Sequence, residues 1–185
     1  LQHFPTVSFV RYADDVVVHY ISEKQSHYVL EAIRRRLAEC KLRLSEQKTK
    51  ITYCKDYRRN EGKSYPKSFD FLGHTFKPMA KKSSRTSGVF LGFDCEISRK
   101  ARTRIIAIWK QMDIQRETTL TLQNLAEMLN AKSRGIINYY GKMNSWAVGR
   151  LFRHLDYRIA KWVKNKFKSL KSSYLKANDW LRDIK

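Results

Sequence analysis

The stretch Phe9-Val-Arg-Tyr-Ala-Asp-Asp-Val-Val-Val18 decides how this chain is read. Two adjacent acids, Asp14 and Asp15, stand between β-rich runs over residues 7–12 and 16–21. Branched and aromatic side chains suit a pleated surface, so the stretch predicts two strands closed by a tight turn. Asp at the turn tolerates the backbone angles that a short connection needs. The valines on one side and Phe-Val on the other predict a hairpin that lies against a core. Two carboxylates held there repel each other and are relieved by a proton or a cation. A hard divalent ion such as Mg²⁺ is the natural neutraliser where phosphates supply further oxygen ligands. Such a site suits two-metal phosphoryl transfer. The plainer alternative is an ordinary hairpin whose turn happens to be acidic.

Composition narrows the choice. The chain has 185 residues, room for one large or two small domains, and 38 Lys and Arg against 17 Asp and Glu give a net charge of +21. A chain this basic is a polyanion binder, because phosphate neutralisation by Lys and Arg drives such affinity. The basic residues are interleaved with aromatics throughout and form no single amphipathic segment, which argues against a membrane surface. No apolar run reaches transmembrane length, and no signal peptide opens the chain. Cys40, Cys54 and Cys95 lie far apart without Cys-x-x-Cys spacing, which suits a reducing cytoplasm and neither a disulfide framework nor a zinc site. The five histidines are scattered and read as structural or surface residues. The start at Leu1, in mid-motif and without Met, reads as a piece of a longer protein.

Along the chain, Ser22-Glu23-Lys24-Gln25 carries the capping-box signature of a helix start. Leu30, Ile33, Leu37 and Cys40 recur at helical spacing and predict the packed side, with Arg34, Arg35 and Arg36 towards solvent. Leu42 and Leu44 alternate with polar residues as in a short strand, and residues 51–54 read as another. Residues 56–67, punctuated by Gly62 and Pro66, read as a loop. Residues 69–76 alternate at strand period with Gly73 in the interior, where another backbone or a ligand approaches closely. Residues 77–87, including Pro78, Lys81, Lys82, Ser83, Ser84 and Arg85, read as a flexible basic connection, and 88–93 as the return strand. Around Ile97 the period changes from two to about 3.6. The domain boundary therefore falls between Asp94 and Ser98, with Ser98 capping the next helix, giving domains 1–95 and 96–185.

The second half predicts three or more helices. One covers 99–112, with Ala101, Ile105, Ile108 and Trp109 apolar. Another begins near Thr119, breaks at 132–135 and resumes over 136–141. The last covers 146–170, with Leu151, Leu155, Ile159 and Trp162 on one side and Arg150, Arg153, Lys161, Lys164 and Lys168 on the other. A bundle with one apolar seam and a basic outer surface suits contact with a nucleic acid backbone. By chemistry, Asn138, Tyr139 and Tyr140 can bond to or stack on bases, with Arg134 on phosphate. The alternative is that the two tyrosines are core aromatics.

These pieces carry a resemblance. Tyr12-Ala13-Asp14-Asp15 on a strand–turn–strand resembles the catalytic motif of the reverse transcriptase palm, and its Ala variant resembles that of group II intron reverse transcriptase/maturases. The segment 42–51, with Ser45, Lys48, Thr49 and Lys50, resembles the motif that follows it, and Phe71-Leu72-Gly73 resembles the primer-grip hairpin. Arg134-Gly135-Ile-Ile-Asn138-Tyr139-Tyr140-Gly141 resembles the signature of the maturase-specific X, or thumb, domain. The resemblance implies an α+β fold: a partial palm, an antiparallel sheet with a packed helix, followed by an all-α thumb bundle. It implies synthesis of DNA on an RNA template, with intron RNA bound to aid splicing. The partners would be template and intron RNA, a DNA primer and dNTPs, with no membrane; a homodimer is compatible with it.

In that family reading Asp14 and Asp15 are catalytic and hold Mg²⁺, or Mn²⁺ in its place. Lys48 offsets triphosphate charge or gives a proton to the leaving pyrophosphate. Tyr12 and Ala13 lie beside the primer terminus, which Phe71, Leu72 and Gly73 support. Arg134, Asn138, Tyr139, Tyr140, Arg150, Arg153, Lys161 and Lys164 bind RNA. The fingers and the palm strand with a third metal-binding carboxylate are not among residues 1–185, so the segment is not expected to polymerise alone. The competing readings are a non-catalytic RNA-binding splicing module and a CRISPR-associated reverse transcriptase. The intact acid pair weighs against the first, because a pure RNA binder gains nothing from clustered acid.

Overall fold

The computed structural model describes residues 7–59, 65–83 and 87–184. The elements are β1 (Phe9–Tyr12), β2 (Asp15–Val18), α1 (Glu23–Glu39), β3 (Phe69–Phe71), β4 (His74–Lys82), β5 (Val89–Ile97), α2 (Arg99–Gln111), α3 (Leu122–Tyr140), α4 (Ser145–Lys166) and α5 (Tyr174–Asp183). Short 3-10 turns cover Ile114–Arg116 and Lys168–Leu170. The chain divides into two units, Leu1–Phe71 with Pro78–Gly92 and Leu72–Lys77 with Phe93–Lys185. The architecture is α+β, with small antiparallel sheet structure first and helices after it.

In the first unit β1 and β2 pair antiparallel, with Phe9 opposite Val18 and Tyr12 opposite Asp15. The predicted hairpin is there, but the core expected against it is not. Phe9 is 58% exposed, Tyr12 63% and Val16 50%. The reason is topological: among the described residues this sheet has two strands only, and such a ribbon has no third element to bury its face.

Helix α1 starts where its capping signature placed it. Ser22 Oγ accepts from Gln25 N at 3.2 Å, and Gln25 Oε1 accepts from Ile21 N at 2.9 Å. Its buried line differs from the predicted stripe: Ser26 and Val29 are buried, and Cys40 is exposed beyond the helix end. Ser26 tolerates burial because its Oγ donates to Glu23 O at 2.6 Å.

The strands expected at Leu42–Leu44 and over 51–54 do not form. Tyr53 N does donate to Pro66 O at 2.8 Å, but one such bond is not a ladder.

Strands β3, β4 and β5 form a three-stranded sheet in that order. Gly73 sits in the turn joining β3 to β4, not inside a strand as its spacing suggested. Leu72 and Gly73 both take positive φ, 48° and 76°, the signature of a type I′ turn, which matches the right-handed twist of the strands it joins. The expected flexible connection is also corrected. Strand β4 runs through Pro78 to Lys82, and the return strand β5 reaches Ile97. Of the residues named in the two loops, Gly62, Ser84 and Arg85 lie outside the described residues.

The second unit is held by one apolar core. Ala101, Ile105 and Trp109 from α2, Leu125 and Leu129 from α3, and Leu151, Leu155, Trp162 and Val163 from α4 join Ile114 in one buried cluster. Ser98 caps α2 by accepting from Ala101 N at 3.2 Å. Ile108, expected on the packed side, is 38% exposed.

Helix α3 passes through 132–135 without the predicted break. Only Ser133 of those four residues is buried, so their polarity marks a solvent face, and helix hydrogen bonds are indifferent to that. The last predicted helix ends early, at Lys166, and α5 follows, capped by Ser173 Oγ. Helix α4 also grips the chain between α2 and α3. Trp162 Nε1 donates to Glu117 O at 2.8 Å, and Lys166 Nζ donates to Thr118 O and Leu120 O, each at 2.7 Å.

Candidate functional site

The acidic pair occupies the tip of the β1–β2 hairpin. Asp15 opens β2 opposite Tyr12, while Ala13 and Asp14 form the two-residue turn. Cross-strand partners share a face, so Asp15 and Tyr12 stand side by side with Val10 and Val17. Ala13 has φ 50°, a left-handed conformation that costs a residue with a Cβ roughly 1–2 kcal/mol. Arg11 answers part of that cost: its Nε donates to Ala13 O at 2.9 Å. Both carboxylates are exposed. Two hard, anionic oxygen donors at a hairpin tip suit a divalent cation. Among the described residues no third His, Cys, Asp or Glu gathers with them.

Lys48 lies in another part of the same unit. The turn 45–48 is closed by Lys48 N and Thr49 N donating to Ser45 O at 3.1 and 2.9 Å. Thr49 Oγ1 also donates to that carbonyl, at 2.9 Å. The Lys48 side chain is exposed. Helix α1 tethers this segment through a two-pronged contact: Arg34 Nε and Nη2 reach the two carboxylate oxygens of Glu46 at 3.2 and 2.9 Å. The Glu46 hydrogen bond, and after it that of Glu31, raise the guanidinium above its ordinary value.

In the second unit the Leu72–Gly73 turn meets the C-terminal end of α3. The Leu72 carbonyl accepts from Tyr139 Oη at 2.8 Å. It lies 3.2 Å from His74 Nδ1, which donates to it in the tautomer carrying its proton there. Tyr140 is only 7% exposed. Its ring centroid is 5.1 Å from that of His74 and 4.8 Å from that of Tyr139. A Cβ on Gly73 would come within 2.9 Å of Tyr140 Oη, so glycine serves both the positive φ and the close approach. Burial pushes the Tyr140 phenol up, Tyr139 adds to the shift, and Arg104 opposes it.

Arg134 and Asn138 are exposed one turn apart on α3. On α4, Arg150, Arg153, Lys161 and Lys164 fall at positions that share one stripe. Tyr157 lies in the same stripe, with Lys161 Nζ 4.6 Å from its ring centroid. Arg150 is anchored: its Nη2 reaches Glu96 Oε2 at 3.2 Å and its guanidinium covers the Trp146 ring at 4.0 Å. Lys77 Nζ pairs with the other Glu96 oxygen. Burial pushes the Glu96 carboxyl up, but the Lys77 hydrogen bond and the Lys77 and Arg150 charges outweigh it, and the carboxyl ends below its ordinary value. A cleft of about 280 Å³ is lined by Glu96 and by Arg102, Arg150, Arg153 and His154, among others.

Sequence reasoning passed over Arg11, Trp146, Tyr157, Arg102 and His154. The i+4 spacing of Trp146 to Arg150 and of Tyr157 to Lys161 was a usable signal for two of them. Arg11 bonds a carbonyl only two residues away, which no pattern of residue types announces, and the cleft residues depend on how the chain folds back.

Two family models match the chain. One, reverse transcriptase (RNA-dependent DNA polymerase), matches residues 1–76, and the other, the group II intron maturase-specific domain, matches residues 103–180. Among curated proteins none matches significantly, and among solved structures none does. The first match covers the acidic hairpin, Lys48 and the Leu72–Gly73 turn. The second covers the helices that carry the tyrosine pair and the basic stripe. Members of the reverse transcriptase family use divalent metal ions, and both matched regions belong to proteins that work on nucleic acid. With the two regions in this order on one chain, the protein belongs to the group II intron reverse transcriptase/maturases.

Proposed function

We propose that residues 1–95 are the C-terminal part of the palm and residues 96–185 the thumb of an RNA-directed DNA polymerase that also binds intron RNA to aid its splicing. The observation that supports this best is the hairpin tip. Asp14 and Asp15 are presented on a strained turn beside Tyr12, on an exposed ribbon, in a chain otherwise charged to +21. Strained backbone clusters at sites that position a ligand, and the left-handed Ala13 beside the two acids favours this reading.

In this reading Asp14 and Asp15 hold Mg²⁺, with Mn²⁺ as a substitute. Substrate phosphates would supply further oxygen ligands to such an ion. When bound, the ion supplies the positive charge that phosphoryl transfer needs. Tyr12 and Ala13 line the place of the primer terminus. Lys48 meets the dNTP triphosphate charge or protonates the departing pyrophosphate. Phe71, Leu72 and Gly73 support the primer end through backbone. Arg134, Asn138, Arg150, Arg153, Lys161 and Lys164 take the phosphates and sugars of the template–primer duplex or of intron RNA, largely without reading bases. Of the tyrosine pair, buried Tyr140 serves the turn, and half-exposed Tyr139 is the one that can also face RNA.

The test uses the full-length protein. Wild type should extend a DNA primer on an RNA template in the presence of Mg²⁺. Asp14→Asn should lose that extension by at least on the order of 10²-fold, the worth of a few kcal/mol of charge stabilisation. RNA affinity should change less than about twofold, since backbone binding rests on the untouched basic residues. A wild type that binds RNA tightly but never extends a primer would overturn the polymerase reading.

A further inference from the structure

We infer that Tyr139 is a positioning residue for DNA synthesis: its hydroxyl locks the Leu72–Gly73 turn to helix α3, so that the thumb sets the backbone on which the primer end rests. This deepens the proposed function and rests on its reading of the turn as the primer support.

Three observations carry it. The turn is costly for its sequence, because Leu72 takes φ 48°, where Asn, Asp or Gly is the usual occupant. A leucine has no side-chain polar group to stabilise that conformation locally, so something outside the turn must hold it. Two donors stand at its carbonyl: Tyr139 Oη donates to Leu72 O at 2.8 Å, and His74 Nδ1 stands 3.2 Å from the same oxygen.

The tyrosine is itself fixed. Its ring meets Tyr140 edge-on at 4.8 Å and His74 at 5.6 Å. Tyr140 in turn closes over Gly73, leaving no room for a Cβ. Finally, the clamp continues down the strands from the turn. Ser98 N donates to Gly73 O at 2.9 Å, and Asn144 Nδ2 donates to Cys95 O at 3.0 Å. Helices α2 and α4 are thus also tied by their caps to the same β4–β5 segment. A hairpin that needed only to exist would not require a specific phenol on its one strained carbonyl.

A phenol donor is suited to this task. It supplies one directed O–H on a rigid stem with few rotamers to freeze, and it leaves the carbonyl oriented with little motion. Removing the hydroxyl and keeping the ring separates positioning from packing.

The experiment compares wild type, Tyr139→Phe and Gly73→Val in the full-length protein. It measures single-nucleotide addition on an RNA-templated DNA primer, primer–template KM, and amide hydrogen exchange over residues 72–77. Tyr139→Phe should lower kcat about fivefold, the factor that one net hydrogen bond confers. Its KM and melting temperature should stay near wild type, and exchange over 72–77 should quicken. Gly73→Val should cost more, because its side chain collides with Tyr140. Unchanged kcat in Tyr139→Phe beside a crippled Gly73→Val would leave the turn important and the positioning role overturned. So would a loss confined to KM, or one tracking a fall in melting temperature. Absence of extension by wild type overturns the polymerase reading, and with it this one. Quickened exchange in Tyr139→Phe would then leave only a structural clamp.

Discussion

In the helical unit Trp109, Ile114, Trp162 and Val163 are closed to solvent and pack into one cluster. In the hairpin unit the buried residues among those described are Ser26, Val29 and Gly92. The contrast is one of where burial comes from. The helical unit closes its apolar seam with its own helices, as a bundle can. The ribbon that carries Asp14 and Asp15 offers Phe9, Val10, Tyr12 and Val16 to solvent. A two-stranded hairpin in that condition is marginal by itself. The helical unit therefore closes its own core, whereas the acidic tip stands open to solvent among the described residues. Under the proposed function, exposed carboxylates on a ribbon and a separately closed basic bundle make a division of labour that suits a polymerase.

The most severe way to break that comparison is Trp162→Ala. Trp162 is fully buried and its indole donates to Glu117 O. Its loss should cost about 3–5 kcal/mol, as large aromatic truncations in cores do, and should abolish protection from hydrogen exchange across α2, α3 and α4. Val16→Ala on the half-exposed ribbon should cost less than about 1 kcal/mol. Equal costs, read by urea unfolding, would mean that the two regions do not differ in the way their burial indicates.

A smaller effect probes the polar seam of the helical unit. Glu96 holds Lys77 and Arg150, and its carboxyl lies below its ordinary value of 4.5 in the folded state. A depressed folded value means that the ion pairs stabilise fully above the ordinary carboxylate range. That contribution is lost as pH falls through the folded value. Glu96→Gln should therefore lower stability by about 1 kcal/mol at neutral pH. The gap to wild type should close as pH falls from the ordinary carboxylate range through the lower folded value, as followed by thermal melts. A gap independent of pH would assign Glu96 a packing role instead.

What could be read in advance follows from the range of each interaction. Ser22 and Ser98 were legible as caps because each bonds an amide three residues away. The acidic hairpin was legible because alternation and turn residues are neighbours. Its exposure was not, because periodicity tells which face is apolar and nothing about what covers it. Leu72–Gly73 read as strand interior because alternation runs straight through a two-residue turn. The Tyr139 bond to Leu72 spans 67 residues, and no local pattern announces it. Tyr139 and Tyr140 were accordingly read as a pair, on RNA or in the core, when burial divides them: one is closed in at 7% exposure and the other open at 50%.

The smallest effect concerns two glycines of one motif. Gly135 lies inside α3, and a Cβ there would meet nothing within 4 Å. Gly135→Ala should raise stability by about 0.5–1 kcal/mol, because alanine removes backbone freedom from the unfolded chain and fills no occupied space. The melting temperature should rise by ~2–4 °C. Gly141 follows the helix end, and its Cβ would come within 2.5 Å of Ile137 O. Gly141→Ala should therefore shift the melting temperature the other way, because the helix end must move to admit the methyl. If both variants lowered stability alike, α3 would be strained at 135 as well, and its unbroken course through 132–135 would need some other support. Opposite signs would place the rigid part of the motif at its end, beside the tyrosine pair, which is where the clamp on the Leu72 carbonyl requires the helix to be fixed.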